Sequence, residues 1–182
     1  MSVVATAPRR GIDQTKAPEP ALTGRVIAPE RYWDRDFWKR EWDRMWTRTW
    51  QIAALTNQFR QAGDFVTFDF GPESIVCAMG RDGKIRAFYN VCQHRGMKVA
   101  AEETGCASRL LCPYHGWAYD LDGVLRVVPD EPDFLQGSPR GRRNLTALRC
   151  ETWGGFVWIN MDDQAPPVRE ALSPVAEQLE AY

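Results

Sequence analysis

Four side chains in this sequence have the types and spacing to hold metal: Cys92, His94, Cys112 and His115. They form two compact pairs, Cys92-Gln93-His94 and Cys112-Pro113-Tyr114-His115, separated by the 17 residues from Arg95 to Leu111. The chain has two histidines, and both stand in these pairs. Thiolate and imidazole are soft ligands that suit zinc and iron–sulfur centres. Three readings meet here. The four could be ordinary core and surface residues, although two compact pairs that use every histidine argue against coincidence. They could form a Cys₂His₂ zinc site, but such sites usually keep the cysteines together ahead of the histidines. Here each half is mixed. In the third reading they hold an iron–sulfur centre, each half giving one Cys to one iron and one His to the other.

The third reading is a [2Fe–2S] cluster of Rieske type, and it accounts for the mixed halves. Four thiolates would leave an oxidised [2Fe–2S] core anionic; two thiolates and two neutral imidazoles leave it near neutral. Adding an electron to a neutral centre costs less, so the potential rises into the range of roughly −150 to +300 mV. The potential is expected to fall with rising pH once an imidazole deprotonates. Gly96 and Gly116 follow the histidines, where the loops must turn tightly. Pro113 stiffens the second loop. Cys77 and Cys150 lie in strand patterns and read as core residues. Cys106 falls in the loop between the pairs, and a ligand role for any of these three is the lesser reading.

Strands and turns must position these loops. Gln51–Leu55, Phe65–Phe70, Ser74–Met79 and Lys84–Val91 are short runs rich in Val, Ile, Phe and Tyr. Asp82-Gly83 predicts a type I′ hairpin turn, with both central residues at positive φ. Asp122-Gly123 repeats the signal between Trp117–Leu121 and Val124–Val128. Pro129 to Asn144 reads as a polar loop. Leu145–Thr152 and Phe156–Asn160 read as a hairpin around Gly154-Gly155. Ahead of the strands, Tyr32, Trp33, Phe37, Trp38, Trp42, Met45, Trp46 and Trp50 recur at helical steps. They predict an aromatic helix over 31–50, started by Asp34 and docked on a core. After Pro166-Pro167, Val168, Leu172, Val175, Leu179 and Tyr182 predict a second helix broken near Pro174. The fold class is mainly β.

Length and composition fit one domain. Hydrophobic residues make up 44 % of the 182 residues, including 8 Trp, enough for a sizeable core. A net charge of −1 excludes a chain drawn as a whole to nucleic acid or an anionic membrane. Arg140, Arg142 and Arg143 read as a solvated turn rather than a nucleic-acid site. No stretch approaches the roughly 20 apolar residues of a membrane span. The five cysteines suggest no disulfide framework, so the expected compartment is the cytoplasm. The expected organisation is a disordered tail over 1–30, the helix over 31–50, a cluster domain over 51–165 with its loops at about 90–120, and a linker over 166–182.

The pattern C-x-H-R-G from Cys92 to Gly96, with C-P-Y-H-G-W from Cys112 to Trp117, resembles the Rieske domain of ring-hydroxylating oxygenase α subunits. Arg48-Thr49-Trp50 and Trp153–Asn160 extend the likeness on both sides. The resemblance implies an antiparallel β-sandwich or barrel with a cluster-binding subdomain. It implies one [2Fe–2S] cluster on Cys92, His94, Cys112 and His115. It also implies a ferredoxin or flavin reductase as electron donor. The acceptor would be a mononuclear Fe(II) in an oxygenase catalytic domain or a neighbouring α subunit, within an O₂- and NAD(P)H-dependent enzyme that trimerises as the full-length subunit. With no third histidine, this chain cannot supply that iron site, which predicts a Rieske domain alone. Respiratory Rieske proteins bridge their loops with a disulfide and donate a serine hydroxyl to a cluster sulfur. Met97, Tyr114 and Trp117 stand there instead, which implies a potential toward the low end of the Rieske range. The alternative function is a stand-alone electron carrier of Rieske-ferredoxin type.

Overall fold

A computed structural model describes residues 28–180 of the chain. The tail expected over 1–30 falls mostly on residues 1–27, outside the described residues; Pro29–Tyr32 form one 3-10 turn. Of the described residues, those up to Trp38 belong to one compact unit and those from Lys39 onward to another.

The leading helix is shorter than its aromatic pattern predicts. Helix α1 covers Arg35–Arg44 and buries none of its residues. Asp34 starts it as expected, its carboxylate accepting the Asp36 N–H at 3.0 Å. Beyond Met45 the chain tightens into a 3-10 turn over Trp46–Arg48 and becomes extended at Thr49. Trp42 and Trp46 lie against Phe70, at ring separations of 5.3 and 5.9 Å. A helical period therefore marks residues that meet a sheet edge from two different backbone segments.

The body is mainly β. Its larger sheet is built from β1 Gln51–Leu55, β2 Asp64–Phe70, β3 Glu73–Met79, β4 Ile85–Tyr89, β5 Thr104–Cys106, β9 Ala147–Trp153 and β10 Phe156–Asn160. These form a curled antiparallel sheet in the order β1-β10-β9-β4-β3-β2-β5. Three short strands, β6 Leu110–Leu111, β7 Ala118–Tyr119 and β8 Leu125–Val127, form a second sheet in the order β6-β7-β8. Cys106, expected in a loop, lies on exposed β5, which pairs with β2. The three residues of β5 are too few to carry an alternating pattern.

The twofold period of β3 serves two cores. Ile75 and Cys77 enter a cluster with Ala87, Leu148, Val157 and Ile159. Val76 and Ala78 face the other way, into a cluster with Phe88, Cys92, Cys112, Trp117 and Tyr119. This strand is covered on both sides, as its near-continuous apolar run requires. Burial pushes the Cys77 thiol well up and the half-buried Cys150 thiol to about 12, which suits inert packing.

The turns divide. Gly154 and Gly155 both have positive φ and join β9 to β10 with Trp153 opposite Phe156, a two-residue hairpin. Gly83 and Gly123 also have positive φ, but Asp82 and Asp122 do not, so the expected type I′ turns are absent there. Gly83 N–H bonds to Gly80 C=O and Gly123 N–H to Asp120 C=O. Each is a turn closed by one left-handed glycine, in which the aspartate stays at ordinary φ and accepts a backbone N–H two residues on. At the C-terminal side, α2 Val168–Ala171 and α3 Val175–Leu179 are separated around Pro174, as its missing N–H predicts.

Candidate metal centre

One loop is presented by the larger sheet and the other by the smaller. Asn90, 1 % exposed, anchors the first at the end of β4. Its side-chain oxygen accepts the N–H groups of Val99 and Ala100 at 3.0 and 2.9 Å, and its amide donates to Ala100 C=O at 2.7 Å. That closes the chain from 90 to 100 into one loop. The second loop leaves β6 and returns on β7, with Leu110 opposite Tyr119.

Within each loop the same bonds recur. Cys92 N–H donates to Met97 C=O at 2.7 Å, and Cys112 N–H to Trp117 C=O at 2.8 Å. Gly96 and Gly116 donate back to the two cysteine carbonyls at 3.0 and 3.1 Å. Both glycines hold φ near the left-handed region, +78° and +70°, as expected of the residues after the ligands. A side chain at Gly116 would also press on the Pro129 ring at 3.1 Å.

All four predicted site residues come together. Cys92 and Cys112 are each 2 % exposed and lie in the same core cluster. The imidazoles of His94 and His115 meet edge to face, 4.7 Å between centres. Nδ1 of both histidines is buried and has no hydrogen-bond partner. Such orphans are costly unless something else occupies them. Two inward Nδ1 lone pairs beside two thiols are the donor set that a two-iron centre with unlike ends requires. Among the described residues no three metal-ligating side chains converge as they would around a single ion. The two imidazoles meet each other, and the two thiols lie together in the core.

The surroundings tune these groups. Burial, then the neighbouring His115, depresses the His94 pKa, which favours the neutral, ligating imidazole. Burial raises the Cys92 thiol, so its thiolate needs a compensating cation. The Tyr119 hydroxyl accepts the Gln93 N–H at 3.0 Å and lies 3.3 Å from Cys92 Sγ. With Cys92 as thiolate, Tyr119 donates to it. This donor offsets part of the loss of sulfur hydrogen bonds expected from Trp117. Trp117 itself stacks on His94, 4.8 Å between centres and 8° from parallel.

A third segment also reaches the site. The loop Pro129–Asn144, as expected, carries no strand, only a 3-10 turn over Glu131–Asp133. Phe134 packs on Trp117 at 5.8 Å, and Arg143 donates to Gln93 C=O at 3.1 Å. The arginines read as a solvated turn are thus engaged. Arg140 pairs with Glu131, and Arg142 donates to the carbonyls of Gln136, Gly137 and Ser138. Sequence reasoning misses Asn90, Tyr119, Phe134 and Arg143. Only Tyr119 carries a usable signal, since it stands two residues from Trp117 and two from Leu121, and all three are buried.

The fold and these loops define an iron–sulfur domain of Rieske type. The sequence profile of the Rieske [2Fe-2S] domain matches residues 49–146, and the chain belongs to that family. The carnitine monooxygenase oxygenase subunit of Escherichia coli K12 is 36 % identical over 165 residues, covering 90 % of this chain and 43 % of that protein. The biphenyl 2,3-dioxygenase α subunit of Rhodococcus jostii RHA1 is 35 % identical over 144 residues, covering 79 % and 31 %. Among solved structures, the apo form of the quaternary ammonium Rieske monooxygenase CntA superposes with a TM-score of 0.80 at 30 % identity, covering 86 % of this chain and 45 % of that one. Naphthalene 1,2-dioxygenase with indole bound gives 0.75 at 33 %, covering 82 % and 34 %. The chain spans less than half the length of these relatives. The cofactor of the family is one [2Fe–2S] cluster.

Proposed function

We propose that this chain is the electron-transfer domain of a Rieske oxygenase. Cys92 and Cys112 would hold one iron and His94 and His115 the other, each histidine through Nδ1. The observation that carries the reading is the pair of buried, unpartnered Nδ1 atoms in loops whose two cysteines are buried in one core. When bound, the cluster supplies reversible one-electron chemistry. The chain's own residues do the rest. Tyr119 donates to the Cys92 sulfur, Trp117 fixes the plane of His94, and Asn90 fixes the first loop.

The donor would be a ferredoxin or flavin reductase fed by NAD(P)H. The acceptor would be a mononuclear iron outside these 182 residues, because the only two histidines are committed to the loops. Residues 51–165 are read as the cluster domain, and 166–182 as a linker. Relatives are named for carnitine and glycine betaine as well as for biphenyl and naphthalene. The reading is therefore set at oxygenation and not at an aromatic ring. Among the described residues no helix is long and apolar enough to cross a membrane. The five cysteines are free of disulfides, which supports a reducing compartment such as the cytoplasm. A stand-alone ferredoxin-type carrier is the lesser reading, because similarity to an oxygenase subunit runs over 90 % of the chain.

The test is reconstitution with iron and sulfide. The expected product holds two irons and two sulfides per chain and gives a Rieske-type EPR signal when reduced. Bound zinc without sulfide, or the spectrum of an all-thiolate cluster, would overturn the reading.

A further inference from the structure

The two ligand loops are one backbone device used twice, and they differ in where the histidine sits. Both close from cysteine to the fifth residue on, and both turn at a glycine four residues on. The histidine is second after the cysteine in the first loop and third in the second. This offset leaves one non-ligand at the centre of each loop: Arg95 in the first and Tyr114 in the second.

Those two residues meet. The Arg95 guanidinium carbon lies 5.5 Å from the centre of the Tyr114 ring, and Nη1 donates to the Tyr114 hydroxyl at 3.4 Å. The loops are therefore joined by two crossings, ligand to ligand and non-ligand to non-ligand. The Tyr114 ring in turn lies on His115, 3.7 Å between centres. The contrast with His94 is sharp. His94 is held by Trp117, which is 2 % exposed, whereas Tyr114 is 51 % exposed. Packing alone fixes Trp117. A half-exposed tyrosine needs a partner to stay on one face, and a weakly hydrated planar guanidinium suits both its ring and its hydroxyl.

We propose that Arg95 and Tyr114 form a clasp across the two loops that positions His115. It governs how firmly the site keeps its metal and how open the His115 face is to solvent and to a redox partner. This rests on the ligand role proposed for His115. Neither residue contacts the metal in this proposal; both are positioning residues.

The experiment uses the full chain reconstituted with its cluster, in wild-type form and as Arg95→Gln, Arg95→Lys, Tyr114→Leu, Tyr114→Phe and the double variant Arg95→Gln/Tyr114→Leu. Iron release to a chelator and the reduced EPR spectrum are recorded. Arg95→Gln and Tyr114→Leu are each expected to speed release about fivefold, the scale of one cation–π contact. The double variant is expected to release no faster than Tyr114→Leu alone, because both changes break one contact. Tyr114→Phe keeps the ring and should stay within about twofold of wild type, with Arg95→Lys between the extremes. Arg95→Gln should also shift the EPR g values, which a change in general stability would not do.

Two outcomes overturn the clasp alone: effects that multiply in the double variant, or release and EPR unchanged in Arg95→Gln. Both side chains are exposed, so the variants should fold, and the two conservative changes still read the clasp if a larger one does not. A wild-type chain that takes up zinc and no sulfide overturns the ligand reading, and the claim on His115 with it.

Discussion

Ile75, Cys77, Ala87, Val157 and Ile159 fill one core of this chain, beneath strands of five and seven residues. Cys92, Cys112, Trp117 and Tyr119 belong to the other, beside strands of two and three residues. The first region is held by long ladders and aliphatic burial. The second shares β3 and β4 with it, but its ligand loops have little ladder of their own. It substitutes Asn90's three bonds to the 99–100 backbone, ring stacking on both histidines, and the loop Pro129–Asn144 laid alongside. A sheet suits a scaffold because its geometry repeats. A metal site needs side chains aimed at one point, and repeating backbone cannot do that. The chain therefore gives up regular structure where the ligands converge and secures the loops with side chains.

Replacing ligands should separate the two regions most clearly. Cys112→Ala is expected to abolish stable cluster binding, read by iron and sulfide content, while the far-ultraviolet signal of the seven-stranded sheet persists. Loss of the sheet together with the cluster would mean that the two regions fold as one. Chelation of iron from the wild-type chain should act the same way, raising amide exchange in 90–120 and leaving β3 and β10 protected.

Next in size are changes in the first core. Ile75→Ala removes a fully buried side chain and should cost about 2–5 kcal/mol in denaturant unfolding, with cluster content unchanged in the folded fraction. Asn90→Ala should cost somewhat less, about 1–3 kcal/mol, for leaving buried backbone groups without partners. Unlike Ile75→Ala, it should also loosen the cluster, since it frees the loop of Cys92. Equal cluster retention in the two variants would contradict the division into two regions.

Tyr119→Phe should leave stability nearly intact and lower the midpoint potential. Removing a donor from the Cys92 thiolate makes the sulfur richer in electrons, so reduction becomes harder. A bond worth about 1 kcal/mol corresponds to roughly 40 mV for one electron. An unchanged potential by redox titration would remove Tyr119 from the tuning groups.

The smallest effect lies in neither core. Glu180 is held at about 2 by the Arg169 guanidinium and then by the Trp153 indole N–H. A depressed carboxylate stabilises above its unfolded pKa and loses that contribution as pH falls through its folded value. The contact of Glu180 with Arg169 and Trp153 should therefore hold down to about pH 4.5 and fade toward 2. Being an exposed contact, it should change proteolysis at the C-terminal side more than global unfolding.

Much of the site is legible in the order of residues. The ligand pairs are local in sequence, and the glycines after them mark positive φ directly. Long strands such as β2, β3 and β10 are legible for the same reason, since apolar patterning over five or more residues is a local signal. β5 and β6 are three and two residues long and hold no period to read. The aromatic run from Tyr32 to Trp50 misleads by the same logic: its spacing fits one helix, while the chain divides it between α1 and separate 3-10 turns.

By itself the sequence determined which atoms can bind metal, that their mixed order suits two unlike irons, and that no third histidine exists for another site. Those facts are properties of residue type and order, which no fold can alter. Only the tertiary structure decided that the two thiols share one core and that imidazole meets imidazole, because that pairing requires two loops 17 residues apart to face each other. It likewise decided that Tyr119 reaches the Cys92 sulfur, that Arg143 crosses 50 positions to Gln93, and that Arg95 lies over Tyr114. Each depends on the curl that brings β4, β6 and β7 around one core, and such convergence leaves no mark in the spacing of residues along the chain.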